Sequence, residues 1–273
     1  LPYVELLSHC PHVNGILVDQ RLPRWNIFYL IKLKKLLHKY NFSHVYDLQN
    51  SSRTIFYQKY LLNVLQWSST KTTLKKGISK KDFNKESVLE RFKIQLDNSN
   101  VKTNHTTRPD FSWSCANVEQ IVNKYFKNKF ILIFPFSSPK LSHKQWPHYN
   151  ELIKIINTKH SHLEIVIAPG SNEMELAKKI RAISITNNKM ALDIMELGGL
   201  IKKSSFVIAN DTGPAHMAAH LQKNGIVLFG YHTTPKKVSI ETDIFKAIAV
   251  KDLRKLSAEE VYLKIEDKLG LIN

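Results

Sequence analysis

The chain has 273 residues, 43% of them hydrophobic and 23% charged, enough for two domains with real cores and too apolar for disorder to be the default. Lysine and arginine total 40 against 23 acidic residues, a formal net of +17, which favours an anionic partner: nucleic acid, a phosphorylated glycan or an anionic membrane face. No apolar run approaches the roughly 20 residues of a membrane span, and two cysteines, Cys10 and Cys115, suit a reducing compartment better than a disulfide framework, so a cytoplasmic enzyme is expected.

Leu1-Pro-Tyr-Val-Glu-Leu-Leu reads as the middle of a domain, so a missing N-terminal piece is expected. Gly15 to Asp19 is a candidate strand. Ile27 to Tyr40 reads as a basic amphipathic helix with Ile27, Leu30, Ile31 and Leu37 on one face. His44 to Gln49 is the next strand. Ser51 or Ser52 can cap a helix through Ile55, Tyr57, Leu61 and Leu65. This β-α-β-α rhythm suggests a parallel sheet. Lys71, Lys75, Lys76, Lys80, Lys81 and Lys85 then crowd one stretch, as a solvated loop or as a grip on an anionic partner. A helix is expected over Lys85 to Leu96, and another over Cys115 to Phe126, leading to a second domain. The expected division is residues 1–127 and 128–273.

From Phe130 the pattern sharpens. Phe130 to Pro135 is a buried strand. Trp146-Pro147 opens a helix with Tyr149, Leu152, Ile153 and Ile156 at helical spacing. Leu163 to Ala168 is a strand, after which Asn172 can cap a helix with Glu175 as its capping-box partner. Asp193 caps a helix to about Lys202. Phe206 to Ala209 and Gly225 to Gly230 are further strands. Ser257 and Glu260 form a capping box for a closing helix, Ala258 to Leu269. Repeated βα units make a doubly wound α/β sheet, whose ligands bind outside the carboxyl ends of its strands.

The unusual polar residues fall at those ends. Asn210 and Asp211 end the Phe206 strand, Thr212 and Gly213 turn, and Pro214 opens a helix with no N–H to waste. Strand, turn and helix N-terminus present backbone N–H groups and a positive dipole end to an anion. Ser137, Ser138, Lys140 and Lys144 follow the Phe130 strand, and Gly170, Ser171 and Glu173 follow the Leu163 strand. Gly230, Thr233 and Thr234 follow the Gly225 strand. Hydroxyls and N–H groups suit phosphate oxygens, lysine adds charge, and a carboxylate suits ribose hydroxyls.

Asp211-Thr-Gly-Pro-Ala-His216 followed by Met-Ala-Ala resembles the signature of family 9 glycosyltransferases, the heptosyltransferases of lipopolysaccharide core assembly. Pro135-Phe-Ser-Ser138 with Lys144-Gln-Trp-Pro147, Gly170-Ser-Asn-Glu-Met-Glu-Leu-Ala177 and Leu228-Phe-Gly230 through Thr234-Pro235 resemble three more family segments. Cys10-Pro-His-Val-Asn14 and Tyr46-Asp-Leu-Gln49 match weaker positions. The resemblance implies a GT-B fold, two Rossmann-like domains, the first holding the acceptor and the second a nucleotide sugar, usually ADP-heptose. It implies inverting transfer without a metal or cofactor. Carried over, Lys144, Ser137, Ser138 and the Thr212–Gly213 amides would hold the diphosphate, and Glu173 the ribose. Met190 lies where the family lines the adenine; Asp211 would bind sugar hydroxyls, and His216 would support the turn or the phosphate. The implied acceptor is an anionic lipopolysaccharide core at the cytoplasmic face of the inner membrane, where Lys71 to Lys85 could bind.

Some positions depart from the family pattern. Phe136 replaces a glycine, and Tyr231-His232 replaces Gly-Pro. The loop to Lys144 is longer than usual, which makes Lys140 a rival phosphate ligand. Family members open with a strand and a Gly-Asp loop whose aspartate is the expected base, and nothing before Leu1 supplies it; a non-catalytic nucleotide-sugar-binding remnant is the alternative this raises. His216 and His220 have a zinc-compatible spacing but lack the glutamate of a zinc peptidase and a third ligand, so no metal is expected. No helix-turn-helix, finger or stacking platform supports nucleic-acid binding.

Overall fold

The computed structural model describes residues 2–75 and 77–272; Leu1 and Lys76 of the stretches discussed above lie outside them. The chain forms two compact units, residues 15–108, and the residues up to Asn14 together with those from Pro109 onward. Each is described by itself.

In the 15–108 unit, strands β1 (His44–Tyr46) and β2 (Gln66–Ser68) pair in parallel, with His44 opposite Gln66. The helix Ile27–His38 starts where the Asn26 side chain accepts from Tyr29 N, and it buries Leu33. Ile27 and Ile31 stand exposed, so the inward face runs through Leu30, Leu33 and Leu37 rather than the expected set. The helix Ser52–Tyr60 carries a capping box between Ser51 and Thr54. It ends five residues before expected: Leu61 and Leu62 turn inward, Leu65 is fully exposed, and the chain enters β2 directly.

The expected strand at Gly15 to Asp19 does not form; no backbone ladder reaches it among the described residues. Instead Asp19 accepts from Tyr57 Oη at 2.6 Å and from Tyr29 Oη. Burial would raise its pKa, but the two phenol bonds win and hold the carboxyl below the ordinary range. That makes it a poor proton acceptor.

The other unit is built on a six-stranded parallel sheet. Its strands are β3 (Phe130–Phe134), β4 (Glu164–Ile167), β5 (Ile183–Ser184), β6 (Phe206–Asn210), β7 (Gly225–Phe229) and β8 (Phe245–Ala249). The spatial order is β5-β4-β3-β6-β7-β8. The order reverses between β3 and β6, so the loops leaving these neighbours diverge and open a crevice. β5 and β8 were not legible in the sequence; one is two residues long and the other is an edge.

Alternate β3 residues feed two cores. Ile131 and Ile133 pack with Trp146, Leu152, Ile153 and Ile156, while Phe130, Leu132 and Phe134 pack with Leu200, Ala215 and Ala219. Each fully buried aliphatic side chain contributes about 1.5–3 kcal/mol, which sets the strand positions firmly.

Three expected helices are corrected. Cys115 to Phe126 holds only the short helix Glu119–Val122, and the turn Ser112–Ser114 precedes it. The segment between them is extended because Ala116 N donates to Met195 O at 2.9 Å and lies against the helix Ile194–Lys203. A Cβ on Gly199 would come within 2.0 Å of Ala116 O, so only glycine admits this approach. Residues 109–127 therefore belong with the larger unit, and its boundary falls at 108/109, not 127/128. Asn172 does not cap: the helix Met174–Ala177 follows a turn closed by the Glu173 carboxylate on Gly170 N at 2.8 Å. The closing helix is two pieces, Ala258–Leu263 and Glu266–Gly270.

Candidate active site at the sheet crevice

The site is assembled from the ends of β3, β4 and β6. Beyond β3 the chain runs through Pro135, Phe136, Ser137 and Ser138 into the 3₁₀ segment Pro139–Lys144. Ser137 is buried and donates to Leu141 O at 3.0 Å, which bends this segment back and aims Lys144 at the end of β6. There the Lys144 ammonium donates to Asp211 Oδ2 at 2.7 Å and to the Asp211 carbonyl at 3.3 Å. An ammonium has three donors, so one remains for an incoming anion.

Asp211 is 4% exposed. His232 Nε2 reaches its Oδ2 at 2.8 Å, and His216 Nε2 lies 3.5 Å from its Oδ1. Burial opposes ionisation, but bonds from His216, Lys144 and His232 and the Lys144 charge hold the carboxyl far below the ordinary range. A carboxyl whose folded pKa is depressed stabilises the fold above its unfolded pKa near ~4 and loses that contribution as pH falls. Denaturant unfolding of the wild type should therefore weaken more steeply between pH 5 and 3 than that of Asp211→Asn. Equal slopes would show that Asp211 is not the linked group.

Past Asp211 the helix Gly213–His220 begins, with Thr212 as N-cap and Pro214 second in the helix. A Cβ on Gly213 would meet nothing within 4 Å, so the chain is uncrowded at the start of this helix. A cavity of about 320 Å³ lies here, lined by Ser138, Lys144, Asp211, Gly213 and His216. A second of about 280 Å³ is lined by Gly170, Glu173, Leu192, Leu197 and Pro214. Ser137, Ser138 and Thr212 line both, so the two adjoin. Positive charge and a helix start sit in one, a carboxylate and apolar walls in the other.

Of the residues expected at the site, Lys140, Ser171, Met190, Gly230, Thr233 and Thr234 lie off these two cavities and the others line them. Lys140 is exposed to solvent. Met190 is 67% exposed, on a tight turn closed by the Asn187–Met190 bridge, while Leu192 and Leu197 form the apolar wall. Ser137 has its hydroxyl committed to the loop, and Thr234 caps Lys237 N. A larger cavity, about 720 Å³, opens on the other side of the 135–147 loop. Its one carboxylate, Asp252, is paired with Arg254 at 2.9 Å, so the smaller pair holds the available chemistry.

Two residues were missed by sequence reasoning. Asn210 is fully buried and ties the rim together: its Nδ2 donates to Pro135 O, and its Oδ1 accepts from Trp146 N and Tyr149 Oη. His232 was visible as a departure from the family pattern, but nothing local shows that it reaches Asp211.

The sequence profile of glycosyltransferase family 9 (heptosyltransferase) matches residues 30–260. The chain belongs to glycosyltransferase family 9. A lipopolysaccharide core heptosyltransferase, OpsX of Haemophilus influenzae, is 29% identical over 144 residues, which span 49% of this chain and 41% of that protein. Among solved structures, the Escherichia coli heptosyltransferase WaaC with ADP superposes with a TM-score of 0.72 at 16% identity, covering 97% of this chain and 87% of that one. Escherichia coli ADP-heptose lipopolysaccharide heptosyltransferase II gives 0.70 at 16% identity, covering 97% and 86%. These likenesses establish the GT-B type of α/β fold in this family 9 chain. No described helix is long and apolar enough to cross a membrane.

Proposed function

We propose that this chain transfers a heptose-type sugar from ADP-heptose to a lipopolysaccharide-core or related glycan acceptor, with inversion and without a resident metal. The observation that carries this reading is the meeting of Lys144, Asp211, His216 and the Gly213 helix start on one cavity, beside the cavity of Glu173. In this reading Lys144, Ser138 and the Gly213 amide receive the diphosphate. The acceptor hydroxyl oxygen bonds to the anomeric carbon from the far side as the carbon–diphosphate bond breaks; the hydroxyl proton leaves to solvent, the broken bond's electron pair passes to the diphosphate, and these donors stabilise the growing charge. Asp211 orients the sugar through its hydroxyls, Glu173 takes the ribose, and Leu192 and Leu197 face the base, with Met190 able to close over it. The ADP in the WaaC structure supports adenine as the nucleotide base. The exposed Lys71, Lys75, Lys80 and Lys81 suit a phosphorylated acceptor or the anionic cytoplasmic face of the inner membrane.

Calorimetric titration with ADP, GDP and UDP tests the donor site. ADP should bind at least about tenfold more tightly than the other two, the 1.4 kcal/mol that one selective base contact supplies. Folded protein that binds none of the three would end the transferase reading.

A further inference from the structure

His232 lies three residues past the end of β7 and reaches the carboxylate at the end of β6. Its side chain is 9% exposed, and its Nε2 lies 2.8 Å from Asp211 Oδ2. The ring is fixed on both sides: it stacks on Phe229 at 6.0 Å and 12°, and meets His143 edge-on at 5.4 Å. Its Nδ1 is buried with no hydrogen-bond partner among the described residues. A hydrogen on Nε2 finds a carboxylate, whereas a hydrogen on Nδ1 would find no acceptor and would forfeit about 1–3 kcal/mol.

We propose that His232 is a positioning residue: as the Nε2–H tautomer it joins Lys144 in saturating Asp211 Oδ2, leaving Oδ1 as the oxygen that receives a hydroxyl of the transferred sugar. This role rests on the transferase reading above. Oδ2 already has donors at 2.7 and 2.8 Å. Among the described residues Oδ1 meets only the half-buried His216 at 3.5 Å, the outer limit of a hydrogen bond, and both residues line the cavity. Lys144 alone does not hold the carboxylate plane, because its ammonium is shared with the Asp211 carbonyl. The ring of His232 supplies the second point that stops rotation.

The test has two arms. Nitrogen-15 spectra of the imidazole side chains should show an Nε2–H signal that is absent in His232→Leu and displaced in Asp211→Asn; a proton on Nδ1 of His232 overturns the proposal without any ligand. Calorimetry should then compare ADP with ADP-heptose. His232→Leu should bind ADP within about twofold of wild type but lose about tenfold of the extra affinity that the sugar brings, the loss of one hydrogen bond to a charged group. His232→Gln, which keeps an N–H near the same place, should recover most of it. Unchanged sugar discrimination in His232→Leu overturns the role. So does equal loss of both ligands in the Leu and Gln variants with a matching fall in melting temperature. A wild-type chain that binds neither ligand overturns the transferase reading, and this role with it.

Discussion

Lys144→Ala should weaken ADP binding by about 2 kcal/mol, or roughly thirtyfold, the worth of a charge-assisted bond to phosphate. The lysine enters the site half-buried, already desolvated on one side and aimed by its bond to Asp211 Oδ2 at 2.7 Å. It therefore loses little freedom when a diphosphate arrives, and its charge acts in a less polar setting than bulk water. The same change leaves the Asp211 carboxylate with histidine partners alone, so some stability is lost as well. Calorimetry on protein shown to be folded separates the two effects. An affinity within about twofold of wild type would remove Lys144 from the diphosphate site. Lys140→Ala, by contrast, should change little, since that side chain lies off both cavities.

Asn210→Leu should cost about 4 kcal/mol of folding stability and disable the site. The side chain is fully buried, with Nδ2 2.9 Å from Pro135 O and Oδ1 3.2 and 3.1 Å from Trp146 N and Tyr149 Oη. Leucine fits the volume but leaves a carbonyl and an amide buried without partners, at about 1–3 kcal/mol each, and the Tyr149 phenol with only the long bond to Phe134 O at 3.4 Å. Tyr149 would be left in an apolar setting where burial already pushes its phenol far above its ordinary pKa. The strand end that carries Asp211 and the loop that carries Lys144 would lose their common anchor. Urea unfolding measures the first effect and ADP titration of the surviving folded fraction the second. A loss under about 1 kcal/mol would mean that the three groups find other partners.

Much of the larger unit was legible because its signals are local. Phe130–Phe134 and Phe206–Asn210 are apolar runs too short for helices, and the structure retains Asp193 as a helix cap and the capping box of Ser257 with Glu260. The strand–turn–helix at Asp211 to His216 is likewise settled within a few residues by Gly213 and Pro214. The smaller unit read less well. Its apolar residues are sparse, so periodicity placed Ile27 and Ile31 on the wrong face and carried a helix through Leu65. A candidate strand at Gly15 to Asp19 needs a neighbour to pair with, and a sequence does not name one.

The sequence by itself determined that this is a basic, doubly wound α/β chain of family 9 with a strand–turn–helix at Asp211. Those properties depend on composition, on period and on contacts within a few residues. Only the tertiary structure decided which loops share that turn. Strand order sets β3 beside β6, and this brings Lys144 to Asp211 across 67 residues and His232 to it across 21. It also gave residues 109–127 to the larger unit, through Val118, Val122 and Phe126 in its core and the close approach at Gly199. Such pairings are selected by the packing of the whole sheet and its two cores, where each contact is worth a few kcal/mol at most. No local pattern encodes them.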